Sequence, residues 1–91
     1  MKAIIRRRDS GKARELITFA AENNATIVTE NPFTFKVKAE AYGYPNVDII
    51  AWEDLTHMIE IPDKIIIHNM DKFVNFLFEN KVIGFSATME D

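Results

Sequence analysis

The chain contains no cysteine, so it has neither a disulfide framework nor a thiolate metal site, and nothing in it calls for an oxidising compartment. Long hydrophobic runs are also missing. The longest, such as Ile65-Ile66-Ile67, is of strand length and far below the roughly 20 residues that cross a bilayer, and no signal-peptide pattern follows Met1. The expected setting is cytoplasmic, without membrane contact. The histidines are His57 and His68, and they lack the H-x-x-x-H spacing of a helical metal site. His68 therefore reads as a hydrogen-bonded histidine at a strand end. No serine, histidine and acid are spaced as a nucleophilic triad. No catalytic residue, no metal and no cofactor are expected.

What is present describes one globular domain over residues 1–91. Hydrophobic residues make up 47% and charged residues 27%, a balance that excludes a disordered chain. The net charge is −3, yet residues 1–14 carry Lys2, Arg6, Arg7, Arg8, Lys12 and Arg14 against Asp9 alone. The remainder must be acidic, and the domain is electrically polarised. A basic end of this kind favours phosphate or nucleic acid, or else is simply a solvated charge run.

Hydrophobic periodicity and turn residues predict alternating strands and helices. Residues 2–6 read as a strand, and a helix runs from Lys12 with Leu16, Ile17, Ala20 and Ala21 on one face until Asn23-Asn24 stops it. Residues 25–29 are a β-branched strand. Asn31-Pro32 has helix-start chemistry and Gly43 can stop that helix, although Phe33, Phe35, Val37, Ala39 and Ala41 alternate with the period of a strand. Helix is the preferred reading. Strands at 47–51 and 64–67, a short helix from Trp52, a helix over 70–78 and a last strand at 82–85 complete the pattern. Such alternation predicts an α/β fold with a mostly parallel sheet of about five strands and helices on both faces. Ligands in such sheets sit beyond the carboxyl ends of the strands, here at loops 6–12, 29–32, 51–54, 68–71 and 86–89.

Three pieces carry a family resemblance. The first is Arg6-Arg7-Arg8-Asp9-Ser10-Gly11-Lys12-Ala13, which keeps the Gly-Lys pair of the phosphate-loop pattern but has Arg6 for its first glycine and Ala13 for its hydroxyl residue. The second is the apolar strand 64–67 ending in His68-Asn69, and the third is Ser86-Ala87-Thr88 after a late strand. In order along the chain, these resemble the small P-loop ATPase-like proteins of bacteriophages and other mobile elements, with degenerate Walker A and Walker B motifs. The resemblance implies a minimal P-loop NTPase-like fold. It also implies a lost reaction, because the magnesium-ligating hydroxyl, the acid that holds magnesium and the acid that positions water stand here as Ala13, His68 and Asn69. The degenerate positions are thus Ala13, His68, Asn69, Ser86 and Thr88.

Anion binding can outlast catalysis, since helix N–H groups and the helix dipole still favour a phosphate beside Arg6, Arg7, Arg8, Gly11 and Lys12. Two functions follow as expectations. One is a non-enzymatic protein, phage or mobile-element encoded and active in the host cytoplasm, that binds and inhibits or modulates a host protein, an anti-CRISPR type of role being one form. The other is a module that binds a nucleotide, phosphate or nucleic acid through residues 6–14. For the first, Tyr44 and Trp52 are the expected partner anchors, because large aromatics dominate interfaces when exposed. Phe73, Phe76, Phe78 and Phe85 are expected in the core.

Overall fold

Four consecutive buried residues, Thr26–Thr29, form β1 and run through the centre of the molecule. The computed structural model describes residues 11–79, 81–84 and 86. The expected strand at 2–6, together with Arg6, Arg7, Arg8, Phe85 and Thr88, lies outside them. Among the described residues the sheet has three strands, β1, β2 (Ile49–Ala51) and β3 (Ile65–Ile67), all parallel in the order β2-β1-β3. The register pairs Ile27 with Ile49 on one side and with Ile66 on the other. The class is therefore α/β, and the strands lie within the expected ranges.

Helix α1 (Lys12–Asn23) begins after Gly11, whose φ of 84° is the left-handed conformation that glycine adopts without a Cβ penalty. It ends at Asn24, also left-handed, whose N–H donates to the Ala20 carbonyl. Helix α2 (Pro32–Ala41) starts as the cap residues predict, with the Thr34 N–H donating to Asn31 Oδ1 at 3.2 Å and Pro32 at the first helical position. The five-residue α3 (Trp52–Thr56) follows β2 directly, and α4 (Met70–Leu77) follows β3 after a left-handed Asn69.

The pleat of β1 sends alternate side chains to opposite faces. Ile27 joins Leu16, Ile17 and Ala20 of α1, Phe35 and Ala39 of α2, and Ala25 and Ile49 in one core. Val28 joins Trp52 and Phe73 in a second. Helices thus cover both faces of the sheet.

Three expectations change here. Residues 82–84 are not in a strand: the chain turns after α4 through a left-handed Glu79 and a Lys81 N–H bond to the Phe78 carbonyl, and Ile83 is fully exposed. Trp52 is not a part-exposed aromatic, because its ring lies 5.5 Å from that of Phe73 and only 5% of the residue is accessible. Phe76 and Phe78 are exposed rather than core, since α4 buries only Phe73 fully.

Candidate functional site

Parallel strands end together, so β1 and β3 deliver Thr29 and the His68-Asn69 turn to the same edge of the sheet. The His68 N–H continues the ladder by donating to the Val28 carbonyl at 2.9 Å. Its ring is fixed by a 3.0 Å hydrogen bond between Nδ1 and Thr29 Oγ1 and by the Phe35 ring, 4.6 Å away. Thr29 Oγ1 also accepts from the Asn31 N–H at 3.4 Å, which leaves its own proton free to go to Nδ1. His68 is a positioned, hydrogen-bonded side chain.

Lys12, the first residue of α1, meets this edge from the other end of the sequence. Its Nζ donates to Asn69 Oδ1 at 2.8 Å, across a separation of 57 residues. The Gly-Lys pair and the His-Asn pair are therefore neighbours in space. The acceptor at this contact is a neutral amide oxygen, which gives the ammonium a hydrogen bond but no opposite charge.

His68 does not add to that positive charge. Burial, followed by the cations of Lys12, Lys38 and Lys72, lowers its pKa from 6.5 to about 4, so the imidazole is neutral at physiological pH. Ala13 is half-buried and packs against the first core. Among the described residues no side chain caps the amino end of α1. Gly11 is exposed, and a Cβ built on it would meet nothing within 4 Å among the described residues.

Gly11, Lys12, His68 and Asn69 thus come together, while other sequence-derived positions do not join them. Ser86 is exposed, Tyr44 is half-buried against the first core, and Trp52 belongs to the second core. Among the described residues no group of three or more histidines and acids is placed to hold a metal, and no helix is long and apolar enough to cross a membrane. Thr29, which holds His68, was not singled out from the sequence. The available signal was its place in the loop 29–32 at a strand's carboxyl end.

No protein-family model, curated protein or solved structure matches the chain.

Proposed function

We propose that the chain is a non-enzymatic interaction protein, a degenerate P-loop-like domain encoded by a phage or other mobile element, that binds and inhibits or modulates a host protein. The observation that carries this reading is the outer face of α2. Phe33 and Val37 are 75% and 51% exposed and lie one helical turn apart, with exposed Ala41 a further turn along. Phe35 and Ala39, buried in the core, point away from them by about 200°. A helix with a second apolar stripe facing water has a surface that a partner would bury favourably.

The fold belongs to the same proposal. The resemblance implies a mostly parallel sheet of about five strands with helices on both faces, and Lys12 against Asn69, which brings the start of α1 to the carboxyl end of β3, supports that reading.

A second reading is favoured by Lys12 specifically. A weak phosphate or nucleotide site at Gly11-Lys12 needs no magnesium, because helix-end N–H groups and the ammonium attract an anion by themselves. The readings separate in one set of measurements. Capture from host lysate should return a stoichiometric partner that survives high salt and is lost with Phe33→Asp/Val37→Asp, whereas phosphate contacts weaken steeply with salt. If the double variant folds and still holds the partner, the α2 reading fails. Tight magnesium-dependent ATP binding in a thermal-shift titration would overturn the degenerate-site reading.

A further inference from the structure

The carboxyl ends of β1 and β2 open onto a second recess, which does not include Gly11, Lys12, His68 or Asn69. It is a cleft of about 580 Å³ walled by Glu30, Trp52, Glu53, Lys72, Asn75 and Phe76. That volume suits a small ligand or one large side chain, within the roughly 300–1,000 Å³ of known ligand sites. Glu30, Glu53 and Lys72 are exposed, and their charged groups have no ion-pair partner among the described residues. Two polar atoms of these lining residues, the indole Nε1 of Trp52, a donor, and Oδ1 of Asn75, an acceptor, are buried with no hydrogen-bond partner among the described residues. Each such atom costs free energy until it is bonded.

The wall selects its ligand by charge and shape. Two carboxylates against one ammonium disfavour phosphate and favour a cation. Phe76, 43% exposed and tilted against the Trp52 ring at 5.6 Å, offers an aromatic surface on which a planar cation stacks. A guanidinium is planar, carries five N–H donors and no acceptor, and matches carboxylates in pairs.

We propose that this cleft receives an arginine side chain presented by a partner polypeptide. The proposal rests on the interaction-protein reading and names the chemistry of one contact. Lys72 is the opposing element, a cation that weakens the site.

Trp52 is the chain's single tryptophan, so its fluorescence reports occupancy directly. The full chain would be titrated at low salt with N-acetyl-arginine amide, acetyl-Gly-Arg-Gly amide and N-acetyl-citrulline amide, the last being neutral and nearly the same shape. Saturable binding of the arginine probes but not of the citrulline probe is expected. Glu30→Gln and Glu53→Gln should each weaken it about tenfold, and Lys72→Gln should tighten it about threefold. Equal binding of citrulline, or no change on either glutamate substitution, overturns the proposal, as does the absence of both a fluorescence and a calorimetric response. Tighter binding of the tripeptide supports a polypeptide source, whereas equal binding of the two arginine probes overturns that source and assigns a free guanidinium compound. A silent cleft in a chain that loses its partner on Phe33→Asp/Val37→Asp defeats this assignment and leaves the interaction reading standing. Arginine binding with no captured partner does the reverse.

Discussion

On one face of the sheet Ile27 is enclosed by α1 and α2, in a core that also takes in Leu16, Ile17, Ala20, Phe35, Ala39 and Ile49; on the other, among the described residues, Val28 meets only Trp52 and Phe73 as buried neighbours. Both residues belong to the same strand and are 0% exposed, so the contrast lies in what covers them. The first face has helices of 12 and 10 residues, and the second has helices of 5 and 8 residues. Short helices have too few turns to bury a long stripe, which leaves Phe76, Leu77 and Phe78 exposed. The thick face carries the fold, and the thin face holds the open cleft.

The sharpest test of this contrast truncates one aromatic on each face. Phe35→Ala should destabilise by about 4 kcal/mol, because its neighbours surround it and cannot collapse, while Phe73→Ala, beside an open cleft, should cost only about 2 kcal/mol. Urea denaturation monitored by circular dichroism would measure both, and equal losses would show that the thin face is packed as tightly as the thick one. A cap test on the thick face comes next. Asn31→Ala should lose about 1 kcal/mol, since Asn31 Oδ1 takes the Thr34 N–H at the start of α2.

The smallest effect concerns pH at the edge shared by the two faces. His68 has a folded pKa of about 4, below its ordinary 6.5, so the unfolded chain binds the proton more readily than the folded one. Its contribution to stability is complete above about pH 6.5 and declines as the pH falls toward 4. Because the ring is only half-buried and solvent screens it, the loss should be about 1 kcal/mol. His68→Gln should flatten stability across that window. An unchanged slope would mean that another group titrates there.

How far the sequence disclosed this molecule depends on which physical signal each region carries. Helix α1 was legible because its glycine start, apolar stripe and Asn-Asn stop agree with one another. Helix α2 gave conflicting signals for a reason now visible. Apolar residues at every second position look like a strand, yet on a helix they divide into two opposite stripes, Phe35 and Ala39 inside, Phe33 and Val37 outside. The cap chemistry of Asn31-Pro32 decided correctly. Trp52 was misplaced because nothing local shows that α4 returns to lay Phe73 against it. For the site, residue types identified Lys12, His68 and Asn69, but their meeting depends on tertiary structure. The hydroxyl of Thr29 and the cleft-lining Glu30, Lys72 and Asn75 carry no motif and emerge only from the assembled sheet.

The all-parallel register also bears on how quickly this chain reaches its native state. A hairpin can zip from its turn, but here β1 must wait for partners far along the chain: Thr26 bonds Asp48 across 22 residues, and Thr29 bonds His68 across 39. The loop-closure entropy of each pairing is lost before any ladder contact rewards it, which slows folding relative to helical domains of this size. The Lys12–Asn69 contact spans more chain than either and depends on both α1 and β3 being in place. It should therefore form late, and a probe attached near it would time the completion of folding. Until then β1, the most buried strand of the sheet, has free edges, so a chain still waiting for these pairings is the species most exposed to mispairing with other chains.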